Sequence, residues 1–202
     1  LGFVFNRCCL QEMSMPRIAL ALTEEFADWE PALLTAMARG YFDVDIVTST
    51  PDGAPVMSMG GLNVMPDMAY DELDPETIHA LVIPGGLIWE KGSAPDMTDL
   101  VHRFCAQHRV VAGICAAASA LAGTGVLNQV AHTGNALSSH RKYETYQGAD
   151  HYRDQPQAVS DKGIITAPGS APITFATEVL KALDVWGPEA EAEITVFSAE
   201  HR

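Results

Sequence analysis

Five short runs rich in Val, Ile, Leu and Ala recur along this chain, and most are separated by stretches of helical periodicity. They cover residues 17–23 (RIALALT), 42–48 (FDVDIVT), 80–84 (ALVIP), 110–114 (VVAGI) and 164–167 (IITA). A strand with one face in water alternates apolar and polar residues, whereas one that is apolar throughout is buried on both faces. Only the run at 42–48 alternates, and only in its first half. Buried strands joined through helices imply an α/β fold, doubly wound, with a mostly parallel sheet covered by helices on both faces.

The helices fall between the runs. Residues 28–39 open with acids and reach Gly40 as a stop signal. Residues 96–108 place Met97, Leu100, Val101 and Phe104 on one face. Residues 116–122 form a short helix of small side chains, and 172–183 a final core helix. Asp52-Gly53 and Gly60-Gly61 punctuate residues 51–70, which read as a hairpin or an excursion at the sheet edge. Residues 131–134 read as a short strand, 138–146 as a helix and 161–163 as a turn. Residues 1–16 form an N-terminal extension outside the fold, 17–184 one domain, and 185–202 a tail without a readable pattern.

A chain of 202 residues is long enough for one buried core. Its formal net charge of -14 at pH 7 argues against nucleic-acid binding and against docking on anionic lipid. No apolar run has the length of a membrane span. The four cysteines, Cys8, Cys9, Cys105 and Cys115, form neither a C-x-x-C pair nor a zinc-like spacing with histidine. Free thiols in a reducing cytoplasm are the expectation, with no metal and no cofactor.

In open parallel sheets, ligands bind beyond the carboxyl ends of the strands. That edge should gather the loop after Thr23, the Gly85-Gly86 loop and Cys115. The segment Val-Ala-Gly-Ile-Cys-Ala-Ala-Ala (111 to 118) puts a thiol directly after a core strand and at the start of a helix. Small neighbours, Gly113, Ala116 and Ala117, permit the sharp turn of a nucleophile elbow. Free N–H groups at a helix start favour a thiolate, and those of Ala116 and of Gly85 or Gly86 suit a developing oxyanion. Cys105, within a helix, reads as packing.

These motifs carry a family resemblance. Ala-Leu-Val-Ile-Pro-Gly-Gly (80 to 86), Gly-Ile-Cys-Ala-Ala (113 to 117) and Ala-Pro-Gly-Ser-Ala-Pro (167 to 172) resemble the DJ-1/PfpI superfamily, relatives of the class I glutamine amidotransferases. The resemblance spans roughly residues 17–183. It implies a flavodoxin-like sheet, a homodimer, and an acid after the first strand that donates a hydrogen bond to the thiolate and lowers the cysteine pKa. Counting back from Gly40 assigns that acid to Asp28, with Glu25 and Glu30 as alternatives. Many PfpI-type members place a histidine after the cysteine, where this chain has Ala116. Others carry Thr-x-His on a later strand, where the match here is Thr133-Gly134-Asn135, so Asn135 stands for the histidine. His132 and His140 lie nearby.

Together these readings make Cys115 a nucleophile toward a small-molecule electrophile: an aldehyde, an isocyanide or an amide. Asp28 tunes the thiol, and the Gly86 and Ala116 N–H groups hold the anion. Peptidase chemistry is disfavoured for want of a placed histidine. The alternatives are a redox-sensing protein that oxidises Cys115 without turnover, and an inert binding module.

Overall fold

The fold is taken from a computed structural model that describes residues 15–199. Cys8, Cys9 and most of the 1–16 extension lie outside the described residues. In chain order the elements are β1 (Arg17–Ala21), α1 (Trp29–Tyr41), β2 (Asp45–Thr50), β3 (Val56–Met57), β4 (Asn63–Val64), β5 (Met68–Ala69), β6 (Ala80–Ile83) and α2 (Ile88–Lys91). There follow α3 (Thr98–Ala106), β7 (Val110–Ile114), α4 (Ala116–Gly123), α5 (Leu137–His140), β8 (Val159–Asp161), β9 (Ile164–Ala167), α6 (Pro172–Ala182) and α7 (Pro188–Ser198).

Seven strands form one sheet in the order β5-β2-β1-β6-β7-β9-β8. All neighbours pair in parallel except β8 with β9. The five central strands have the doubly wound flavodoxin-like order. Alternate residues of each strand supply two cores. Ile18, Leu20, Val82, Ala112 and Ile165 pack under Leu34 and Met37 of α1 and Phe175 and Val179 of α6. Ala19, Leu81, Ile83 and Val111 pack under Val101 and Phe104 of α3 and Leu121 of α4. Burial on both faces is why these strands read as unbroken apolar runs.

Several boundaries differ from the sequence expectation. Gly40 does not stop α1, which runs to Tyr41; the left-handed residue that turns the chain is Asp43, with φ 51°. Residues 51–70 divide in two: β3 and β4 pair as a small antiparallel hairpin, and β5 joins the sheet edge beside β2. Residues 131–134 form no strand, only an isolated bridge from His132 to Tyr152. The helix expected over 138–146 is the single turn α5. β8 has the sequence Val-Ser-Asp, too short and polar to register as an apolar run. The 185–202 segment contains α7, where Ala190 and Ile194, one turn apart, are buried and Ile194 joins the first core. Among the described residues, no helix is long and apolar enough to cross a membrane.

Candidate active site

Because β1, β6, β7 and β9 are parallel, their carboxyl ends share one edge, and register pairs Ile83 with Gly113 and Ile114 with Ala167. The loops leaving these strands build the site. Cys115 is the first residue past β7, and its N–H still donates to Ala167 O at 2.9 Å. It then turns sharply, with φ 60° and ψ -126°. A non-glycine residue in such a conformation costs on the order of 1–3 kcal/mol, so the surroundings must impose it. Close packing does so: a side chain on Gly113 would lie 2.8 Å from Leu121 Cδ1, because α4 folds back directly onto β7.

The carboxyl group that meets Cys115 is Glu30, not Asp28. Glu30 is fully buried, and its Oε2 accepts the Gly85 N–H at 2.6 Å. Its other oxygen, Oε1, has no conventional donor among the described residues and lies on the sulfur side. Asp28 turns the opposite way, as residues two apart on a helix must. Its Oδ2 accepts the Gly60 N–H at 2.7 Å and so tethers the β3–β4 hairpin. Slight burial raises the Asp28 carboxyl, but hydrogen bonds from Ser58 and Gly60 outweigh it and hold the group below its ordinary value. Glu25, the other alternative, has φ 56° and pairs with Lys91 of α2.

Asn135 does reach the sulfur. Its Nδ2 donates to Cys115 Sγ at 3.2 Å, and its Oδ1 accepts the Gly169 N–H at 2.9 Å. Gly169 is thereby fixed against the thiol: a Cβ there would be 2.7 Å from Sγ. Trp29 closes this wall from α1, donating its Nε1 hydrogen to Gly169 O at 3.2 Å. The Ala116 N–H, at the start of α4, favours the ionised sulfur. Gly86 lies in an antiparallel bridge with Phe26, and a Cβ there would meet Glu25 O at 2.4 Å. The bridge bonds run from Ala27 N to Gly85 O and from Leu87 N to Glu25 O, which leaves the Gly86 N–H out of the pair.

Neither histidine touches Cys115. His132 is buried with Nδ1 2.8 Å from Val130 O and Nε2 2.7 Å from the Tyr146 hydroxyl. His140 is equally buried, stacked on His132 at 5.6 Å between ring centres. Cys105 is packed against the second core, and burial pushes its thiol up.

Burial raises Glu30 to about 7, against the opposing pull of the Gly85 N–H and of Cys115. Burial also raises Cys115; the hydrogen bond from Asn135 lowers it, and Glu30 raises it again, to about 11. The sequence expectation was a thiol held below its reference value. Here two acids in contact cannot ionise together, so they titrate as a pair that holds one proton through the range above neutrality. Beside the elbow lies a cleft of about 460 Å³ lined in part by Trp89, Glu90, Ala116, Ser119, Asn135 and Lys142. A second hollow, of about 490 Å³, lies beyond Trp89 and Tyr143 and includes no group that touches Cys115. Among the described residues, no three His, Cys, Asp or Glu side chains are grouped as metal ligands.

Sequence reasoning weighed Glu30 only as an alternative and gave neither Gly169 nor Trp29 a role at the thiol. The Pro168-Gly169 pair directly after β9 was the available signal, since a glycine at the carboxyl end of a core strand marks close backbone approach.

A flavodoxin-like sheet with a strained cysteine between a central strand and a helix, and a buried carboxyl group against it, defines a class of α/β protein built around a cysteine elbow. Within that class the chain belongs to the DJ-1/PfpI family, whose model matches residues 16–182. It is similar to the uncharacterized protease YoaZ of Bacillus subtilis (strain 168), with 32% identity over 185 residues covering 88% of each chain. Among solved structures it resembles the DJ-1 superfamily protein Atu0886 from Agrobacterium tumefaciens, with 67% identity and a TM-score of 0.92 over 93% of this chain and 100% of that one. A thiJ/pfpI family protein from Bacillus anthracis matches with 29% identity and a TM-score of 0.84, over 94% of this chain and 93% of that one.

Proposed function

We propose that this protein is an enzyme in which Cys115 attacks a small electrophilic carbon and Glu30 manages the proton. The observation that carries this reading is the buried Glu30 carboxyl packed against a strained thiol, beside a cleft that the neighbouring Ala116 and Asn135 line. A carboxyl group with a pKa near neutrality is suited to proton transfer in both directions. As the S–C bond forms, the thiol proton passes to Glu30. The electron pair displaced from the substrate's multiple bond collects on its oxygen or nitrogen, where the Ala116 and Gly86 N–H groups donate. Glu30 then returns the proton. Aldehydes, isocyanides and activated acyl groups fit this sequence.

Peptide hydrolysis fits less well. A leaving amine needs a proton donor within reach, and both buried histidines are engaged elsewhere. The Asn135 and Ala116 donors at the sulfur would serve the oxygens of a cysteine sulfinate as well, which favours redox sensing as the second reading. The protein acts in the cytoplasm as a homodimer in this reading; Met57, Leu62 and Met65 on and beside the exposed hairpin give a second copy apolar surface.

A screen of small aldehydes, isocyanides and aryl esters with wild type and Cys115→Ala tests the proposal. Turnover lost in Cys115→Ala supports it. Turnover unchanged by that substitution rejects it, and stoichiometric peroxide oxidation without any turnover favours the redox reading.

A further inference from the structure

The Cys115–Glu30 pair explains attack but not release when the adduct is an acyl group, because a thioester on Cys115 must be cleared by water. Glu30 is fully buried beneath Gly85 and Gly169 and does not line the cleft. Ser119 does. It follows Ala116 on α4 by three residues, so the two share a face, roughly 4.5 Å apart along the helix axis. A single water would bridge the Ser119 hydroxyl and a carbon bonded to Sγ.

The Ser119 hydroxyl has a fixed direction. Its Oγ lies 3.0 Å from His140 Nδ1, and His140 Nε2 lies 3.3 Å from Thr133 O. A carbonyl only accepts, so this network assigns the imidazole proton to Nε2 and leaves Nδ1 bare. Ser119 must therefore donate to His140, and its lone pairs are what it presents to the cleft. The arrangement is rigid: His140 is fully buried, and a Cβ on Gly134 would be 2.6 Å from its Cε1. Burial lowers His140 to about 4 and keeps it neutral, so it orients Ser119 without taking its proton. The same loop carries Asn135 to the sulfur, two residues after the Thr133 carbonyl that fixes His140.

Building on the nucleophilic role of Cys115, we infer that Ser119 is a catalytic hydrogen-bond acceptor that positions the water which hydrolyses an acyl-Cys115 adduct, with His140 as its positioning residue. The substrate class is then a small ester, thioester or activated amide. The water oxygen bonds to the thioester carbon while one of its hydrogens is held by Ser119 Oγ. The C–S bond breaks, the water's other proton passes to the departing sulfur, and the products are a carboxylic acid and the Cys115 thiol.

p-Nitrophenyl acetate with the full chain, followed in the pre-steady state, separates the two steps. Wild type should release a burst of p-nitrophenolate stoichiometric with Cys115 and then turn over. Ser119→Ala should keep the burst, slow the steady state about tenfold and accumulate acetylated Cys115 by intact mass, while Ser119→Thr restores turnover. A normal burst with an unchanged steady state in Ser119→Ala overturns this inference alone. A fall in burst and steady state by the same factor does so too, because a structural role moves both. Absence of both a burst and acetylated Cys115 in wild type and in Ser119→Ala overturns this inference, and turnover retained in Cys115→Ala overturns the nucleophile reading with it.

Discussion

Glu30 and Cys115 meet across a gap that only glycine can line: a side chain on Gly85 would lie 2.7 Å from Cys115 Cβ and 3.0 Å from Glu30 Oε2. With no side chain between them, carboxyl and thiol share one desolvated pocket and compete for one proton. Thiol reactivity should therefore follow the titration of the pair. Cys115 alkylation by iodoacetamide is expected to rise through pH about 7, where the first proton leaves. Glu30→Gln should abolish that inflection, because no carboxyl group is then left to titrate beside the thiol. An unaltered pH profile in Glu30→Gln would show that the carboxyl group does not control the thiol.

The same pair links stability to pH. The folded-state pKa of Glu30 is raised from 4.5 to about 7, so the folded state holds that proton more tightly than the unfolded chain. The stabilisation is fully present below pH 4.5 and is lost as pH rises through about 7. The displacement corresponds to about 3 kcal/mol at most. Urea denaturation should find wild type less stable at pH 8 than at pH 5. Glu30→Gln, which retains an oxygen for the Gly85 N–H, should lose much of that difference. An equal slope in both proteins would assign the pH dependence to other groups.

Asp28 and Asn135 separate tether from site. Asp28→Ala removes the Gly60 contact and should cost about 1 kcal/mol by loosening the hairpin, with thiol alkylation unchanged. Asn135→Ala removes a donor to the sulfur and the acceptor for the Gly169 N–H. The thiol pKa should rise and alkylation at pH 8 fall several-fold, since a hydrogen bond to the charged form favours it. Paired stability and alkylation measurements decide. If Asp28→Ala slows alkylation as much as Asn135→Ala, the division between hairpin and site fails.

What was legible in the sequence follows from how locally each feature is encoded. The central strands and the elbow stood out because two-sided burial writes unbroken apolar runs, and because Gly113 and Ala116 are small for a reason confined to their own turn. Counting along α1 identified the acidic segment but not the acid. Asp28 and Glu30 differ by two residues and hence by the side of the helix they face, and that orientation depends on how α1 docks on β1. Trp29 and Gly169 come from segments far from the elbow in sequence, and only the folded sheet edge brings Gly169 against Cys115 and Trp29 onto Gly169. The α7 helix was missed because its described buried residues, Ala190 and Ile194, make a narrow stripe in an acidic segment, with α6 completing its apolar surroundings.

Lys142 gives the cleft an electrostatic preference. Of the four lysines, Lys91 pairs with Glu25, Lys181 with Glu178, and Lys162 donates to Gln129 O at 2.9 Å. Lys142 lines the cleft and makes no such bond among the described residues. Glu90 lines the cleft from α2 without a salt bridge to Lys142. An incoming anion is thus drawn by one charge and repelled by the other, and either can be removed separately. The rate of Cys115 alkylation by iodoacetate relative to neutral iodoacetamide reads this directly, because the two reagents differ mainly in charge. Lys142→Gln should lower the ratio about three- to tenfold at low salt, and Glu90→Gln should raise it. Both effects should shrink at high salt, since the two side chains are solvent-exposed. A ratio indifferent to Lys142 would mean that its ammonium group points away from the path to the sulfur.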